Sequence, residues 1–168
     1  GMSTGNPKLG QMMTDVASVL ADLSLPPEKI ILFGRSLGSI FALEAIRLFP
    51  DICALIIESG IADMDERIRM RVRAEEMGIS AEQLDLAINT VFDHQSKLSG
   101  FKGDTLILHA RNDFLVPHRH ADLLFQWANS PKYIKSFEKG DHNSIFFENR
   151  DEYIAAIRDY IRSLKMIK

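Results

Sequence analysis

Near the start of the chain, apolar residues recur at helical spacing: Leu9, Met12, Met13, Val16, Val19, Leu20 and Leu23. The spacing predicts an amphipathic helix over about 8–23. Asn6 and Pro7 offer an N-cap and a first-turn proline ahead of it, and Pro26-Pro27 ends it. The pattern then changes. Ile30, Ile31, Leu32 and Phe33 are consecutive apolar residues, as in a strand buried on both faces of a parallel sheet. A helix over about 38–49 follows, stopped by Pro50, and Ala54 to Ile57 repeats the buried-strand pattern. Two further strands, 105–110 and 133–137, alternate with helices over about 117–128 and 149–165. Apolar strands alternating with helices predict an α/β fold, a four-stranded and mainly parallel sheet flanked by helices.

Residues 63–100 interrupt this alternation with a charged, helical pattern. Arg67, Arg69, Arg71 and Arg73 lie among Asp63, Asp65, Glu66, Glu75 and Glu76, which reads as a solvated helix face rather than an anion site. Ser80 and Gln83 form a capping box for a helix over about 81–93. No repeat, low-complexity tract or long linker divides the chain. Residues 1–168 read as one domain, with 63–100 as a cap-like helical insertion. Gly1, ahead of Met2, reads as a tag scar.

The 168 residues, 46% hydrophobic and 26% charged, suffice for a soluble core without a metal or disulfide. A formal net charge of −3 argues against nucleic acid or an anionic membrane as the main partner. No apolar run approaches the roughly 18 residues of a membrane span, and no signal-peptide pattern is visible. Cys53, the one cysteine, cannot form an internal disulfide, which fits a cytoplasmic setting.

The first predicted strand runs straight into Gly34-Arg35-Ser36-Leu37-Gly38, and a helix follows. This is G-x-S-x-G in its strand–turn–helix context. The reading places Ser36 in a strained turn, with glycine on either side because side chains there would meet neighbouring backbone. The helix start behind it offers free N–H groups, of which that of Leu37 is the natural donor to an oxyanion. A nucleophilic serine needs a base and an acid to orient it. Asp113 lies just beyond the third strand and His142 just beyond the fourth, both where open α/β sheets build their sites. Taken singly, Asp113 is a turn residue, His142 a surface histidine and Asp141 a helix cap. Their order and placement after Ser36 argue against coincidence. Glu58, ending the second strand, is a second candidate for the acid. His118 and His120 are two apart at a helix start and do not share a face, so no metal site is expected. His109 and Cys53 read as packing residues, as do Phe125 and Trp127, and His94 reads as exposed.

Gly34–Gly38, Asp113 with Val116-Pro117, and Gly140-Asp141-His142 resemble the α/β-hydrolase superfamily. The similarity is greatest to its serine-peptidase-related branch of small esterase-like proteins. There the acid stretch commonly reads His-Gly-x-x-Asp-x-x-Val-Pro; here Ala110 replaces the glycine of His109-Ala110-Arg111-Asn112-Asp113. The opening Ser3-Thr4-Gly5-Asn6-Pro7 is similar to the segment after the family's fourth strand. The resemblance therefore implies a partial fold that lacks the usual first strands, among them the one bearing a second oxyanion donor. It implies a serine hydrolase acting on a small acyl or ester substrate, with Ser36, His142, Asp113 and Leu37 N–H as its machinery. No cofactor is implied. Met64, Ile68, Val72, Leu84, Ile88 and Phe92 could line an acyl pocket or simply bury the cap. The alternatives are an acyltransferase or peptidase on the same residues, or an inactive remnant serving as a binding or assembly module. The missing neighbour would leave Ile30–Phe33 as an apolar edge strand, for which a homodimer is the expected cover.

Overall fold

The computed structural model describes residues 4, 9–69 and 73–164. The Asn6-Pro7 helix start and Val72 lie outside the described residues. Twelve elements follow in order: α1 (Leu9–Asp22), β1 (Ile31–Arg35), α2 (Gly38–Leu48), β2 (Ala54–Glu58), α3 (Met64–Arg69), α4 (Ala81–Val91), α5 (His94–Gly100), β3 (Asp104–Ala110), α6 (Arg119–Trp127), β4 (Lys132–Phe137), α7 (Ile145–Glu148) and α8 (Arg150–Ser163).

The strands lie side by side in chain order, and every neighbouring pair is parallel. Right-handed crossovers that all step the same way place their helices on the same face. Leu43 and Ile46 of α2, Leu98 of α5 and Leu124 of α6 accordingly pack together on Leu55, Ile57 and Ile107, and Leu20 of α1, which precedes β1, joins them. The alternate residues Ala54, Ile56, Leu106 and Leu108 point to the other face. There they meet Tyr153 and Tyr160 of α8 and the following Leu164.

β2 is buried along its whole length, as its apolar run predicts. β1 is not, because it forms an edge of the sheet: Phe33 is 48% exposed. β1 also runs two residues further than expected, through Gly34 to Arg35. The last helix, α8, lies within the expected 149–165, and the short α7 that precedes it was not expected. Ser80 and Gln83 cap α4 reciprocally, as read from the sequence. α4 ends earlier than expected because the Asp93 side chain accepts from Ser96 N–H and starts α5.

α5 closes the stretch expected to be a cap, yet its Leu98 is fully buried in the main core. Lys97 Nζ lies 2.8 Å from Glu44 of α2, which also binds Arg47. The Arg47 hydrogen bond, with Lys97 beside it, pulls the Glu44 carboxyl down to about 2. His94 is 1% exposed rather than solvated. Its Nδ1–H donates to the carbonyls of Ile61 and Ala62 at 3.0 and 3.2 Å, tying α5 to the chain leaving β2.

Burial pulls the His94 pKa down from 6.5 to about 4. Between those values the unfolded chain holds a proton that the folded chain refuses. Stability is therefore complete above pH 6.5 and falls as the pH drops toward 4, by about 3 kcal/mol from this residue. Buried His109 and His120 are lowered too and add to the loss. Urea midpoints should fall across this window in the wild type and fall less steeply in His94→Asn. Parallel profiles would contradict the account.

Candidate active site

β1 delivers its last residue, Arg35, directly to a sharp turn. Ser36 has φ +51°, Leu37 is already helical at φ −54° and ψ −32°, and α2 begins at Gly38. A serine in the left-handed region costs about 1–3 kcal/mol and persists only where its surroundings fix it. Ser36 N–H donates to the Glu58 carbonyl at 2.9 Å. The Ser36 carbonyl accepts from the Ser39 hydroxyl at 2.7 Å, and that hydroxyl accepts from Ile61 N–H at 3.0 Å. The turn is thus pinned to β2 and to the segment beyond it.

The two glycines of the motif do different jobs. A Cβ on Gly34 would lie 2.7 Å from Ala42 Cβ and 2.9 Å from both Gly38 O and Ser39 Cα. A Cβ on Gly38 would meet nothing within 4 Å. The expectation that both are excluded by neighbouring backbone therefore holds for Gly34 alone. Gly38 instead borders an open cleft of about 380 Å³ between α1 and α2, lined also by Leu32, Phe33 and Phe41.

His142 reaches this turn from the loop after β4. Its Nε2 lies 2.8 Å from Ser36 Oγ, and its Nδ1 lies 2.7 Å from Asp113 Oδ2. His142 and Asp113 are 6% and 4% exposed. A carboxylate at Nδ1 requires the proton there, which leaves Nε2 as an acceptor facing the serine hydroxyl. The other oxygen of Asp113 accepts from Leu115 N–H at 3.0 Å and Val116 N–H at 2.7 Å, which fixes the carboxylate in its loop. His109 lies beneath: its Nε2–H donates to Val116 O at 2.8 Å and stands 3.5 Å from Asp113 Oδ2. Burial lowers the His109 pKa, which favours the neutral ring. The His142 loop is folded on itself. Gly140 has φ +79°, and Asp141 Oδ1 accepts from Asn143 and Ser144 N–H, each at 2.9 Å.

Glu58, the other candidate acid, does not face His142. β1 and β2 are in register with Arg35 opposite Glu58, and Arg35 Nε donates to the Glu58 carboxylate at 2.8 Å. The Tyr153 hydroxyl donates to its other oxygen. The structure therefore brings Ser36, His142 and Asp113 together and assigns Glu58 to a separate ion pair. Leu37 N–H lies at the start of α2, next in the chain to Ser36. Its position suits an oxyanion, because the first N–H groups of a helix have no intrahelical partner.

The remaining candidates disperse. His118 Nε2 pairs with Ser136 Oγ at 2.8 Å, whereas His120 Nδ1 accepts from Ala62 and Asp63 N–H at 3.2 and 3.3 Å. Among the described residues no group of three His, Cys, Asp or Glu could hold a metal ion. Phe125 and Trp127 pack on the main core, and Cys53 is half-buried. Met64, Ile68 and Phe92 pack with Ile40 of α2 and with Val116, beside the acid loop. Leu84 and Ile88 pack under Ile68 and Phe92.

No family model matches the chain. An uncharacterized membrane protein of Saccharomyces cerevisiae is 26% identical over 168 residues, covering 96% of this chain and 57% of its own length. The uncharacterized protein YfhR of Escherichia coli (strain K12) is 22% identical over 174 residues, covering 97% and 57%. The chain thus spans 57% of the length of both curated relatives. Solved structures superpose over nearly all of it. Mouse alpha/beta hydrolase domain-containing protein 10 is 22% identical with a TM-score of 0.71, over 96% of this chain and 74% of its own. The fold is that of an α/β-hydrolase. A monoacylglycerol lipase of Paleococcus ferrophilus shares this α/β-hydrolase fold at 20% identity and TM-score 0.66, over 94% and 76%. The esterase domain of a Rhodothermus marinus protein shares it at 22% and 0.61, over 91% and 70%. The four parallel strands make a partial α/β-hydrolase sheet. No helix among the described residues is long and apolar enough to cross a membrane.

The two glycines give a direct test of the turn. Gly34→Ala should lose about 1–3 kcal/mol by overpacking, and Gly38→Ala should melt at or slightly above the wild-type temperature. Equal losses at both positions in thermal denaturation would refute the assigned roles.

Proposed function

We propose that the chain is a serine hydrolase that cleaves small acyl esters. The observation that carries this reading is the unbroken hydrogen-bond chain from Ser36 Oγ through the His142 ring to Asp113. His142 Nε2 takes the hydroxyl proton as Ser36 Oγ attacks the acyl carbon. Leu37 N–H holds the developing oxyanion, and Asp113 stabilises the imidazolium. His142 then hands the proton to the leaving alcohol, and water activated by the same ring releases the acid. The lipase and esterase among the similar structures support an ester substrate. Met64, Ile68 and Phe92 are our choice for the acyl-side wall, because they lie beside Val116 and α2.

β1 forms one edge of the sheet of the described residues. The same edge is the observation behind a second reading, in which the chain binds or assembles without catalysis. A fluorophosphonate probe separates the two. It should label the wild type and not Ser36→Ala, and p-nitrophenyl esters of short acids should be turned over only by the wild type. Absence of labelling, or equal labelling of both proteins, removes the hydrolase reading and leaves the binding module.

We also propose that two copies pair through this edge, with the half-buried Leu32 and the exposed Phe33 of each β1 covered by the other. A cytoplasmic setting is proposed on the single cysteine. Light scattering at micromolar concentration should give twice the chain mass; a clean monomer overturns the pairing.

A further inference from the structure

We propose that Arg35 is a positioning residue. It clamps the main chain of His142 to Glu58, so that one carboxylate residue sets both the nucleophile and the base. This rests on the hydrolase reading above and adds to it a residue that the motif leaves unspecified.

Glu58 is 4% exposed and carries a carboxylate that burial would penalise without partners. Two donors meet it: Arg35 Nε at 2.8 Å on one oxygen and the Tyr153 hydroxyl on the other. Tyr153 is itself buried, and burial, with Glu58 beside it, pushes its hydroxyl well above the ordinary tyrosine range. The Arg35 guanidinium is therefore held at Nε in one orientation. Its outer nitrogen then donates to the His142 carbonyl and lies 3.4 Å from Asn143 Oδ1. The guanidinium suits this because its donors are rigidly spread, so one side binds the acid while the other reaches the loop.

The same residue holds the serine. Glu58 O accepts from Ser36 N–H at 2.9 Å. The main chain carrying the nucleophile and the main chain carrying the base thus share Glu58 as a common anchor, one through its carbonyl and the other through its carboxylate and Arg35. The 2.8 Å gap between Ser36 Oγ and His142 Nε2 is fixed from both ends. Asp113 alone would orient the ring without fixing the backbone behind it. The loop carrying that backbone includes Gly140 at φ +79°, where the chain has the freedom of glycine. Arg35 contacts no reacting atom in this arrangement and acts only through His142.

The test uses Arg35→Met, Arg35→Lys and Glu58→Gln in the whole chain, with two readouts. Amide hydrogen exchange over residues 138–144 reads the clamp without any need for activity. It should quicken in Arg35→Met by more than in the core strands β2 and β3, whose exchange reads the general loss of stability from leaving Glu58 without its cation. The second-order rate of fluorophosphonate labelling should fall between about 10- and 100-fold, with kcat for a short ester reduced and KM unchanged. Arg35→Lys should recover part of the rate, and added guanidinium at millimolar concentration should partly restore Arg35→Met, since the side chain is 42% exposed at its site. Glu58→Gln should loosen the same loop, and the double variant should be no slower than the slower single one. Unchanged exchange in Arg35→Met overturns the clamp. Faster exchange with wild-type labelling overturns its role in positioning. A wild type that takes no label overturns the hydrolase reading and the catalytic sense of the clamp together, and the exchange result then reports the contact alone.

Discussion

A helix can follow a strand within three residues only if the two come closer than ordinary side chains permit. Gly34 provides that approach. Where its Cβ would be, Ala42, Ser39 and the Gly38 carbonyl already crowd in from α2. The tight seat lets α2 start immediately behind Ser36, which keeps the serine hydroxyl at the helix N-terminus and the Leu37 N–H next to it. It also brings Ser39 under the turn, where its hydroxyl joins the Ser36 carbonyl to Ile61 N–H. The left-handed Ser36 backbone is thus the outcome of packing on several sides, and its strain is balanced by hydrogen bonds that exist only in this geometry.

The parallel sheet supplies the rest of the site. Four strands running the same way end on one rim, so the segments that leave them carry Ser36, Glu58, Asp113 and His142 into one neighbourhood. Each carboxylate there has a distinct set of donors. Asp113 takes the His142 ring and two backbone amides, whereas Glu58 takes a guanidinium and a phenol. The separation follows from register. A carboxylate opposite Arg35 in the sheet has a cation one strand away and is neutralised by it, and one in the loop after β3 has an imidazole instead.

Much of this was legible because it depends on local pattern. Continuous apolar runs marked β2 and β3, the Ser80 and Gln83 pair marked α4, and G-x-S-x-G between strand and helix marked the turn. The order Ser36, Asp113, His142, each after its own strand, is enough to place three residues on one rim. What the pattern could not carry was side-chain direction. His94 follows a polar helix and reads as exposed, but it is buried against the chain leaving β2, where it donates to the Ile61 and Ala62 carbonyls. Arg35 sits where the motif allows any residue, and only strand register reveals its partner. Gly38 looked equivalent to Gly34 because spacing is symmetric about Ser36, whereas packing is not. The choice between Asp113 and Glu58 likewise depended on a pairing that no sequence spacing encodes.

The two sheet faces are covered by different parts of the chain. The face of Leu55, Ile57 and Ile107 is covered by α2, α5 and α6, which alternate with the strands along the chain. The face of Ala54, Ile56, Leu106 and Leu108 is covered by α8, which follows every strand in the chain and supplies Tyr153 and Tyr160 to it. His142 lies just before that helix, and Asn149, at the start of α8, holds its loop by donating to Lys139 O and Ile145 O at 2.9 and 2.8 Å. A chain emerging from the ribosome would therefore complete its serine turn and acid loop early and remain without a seated base until the last turn of helix docks. Assembly of the three residues then reports that α8 has docked on its face of the sheet, and a chain shortened at its carboxyl end would carry the nucleophile with no base seated beside it.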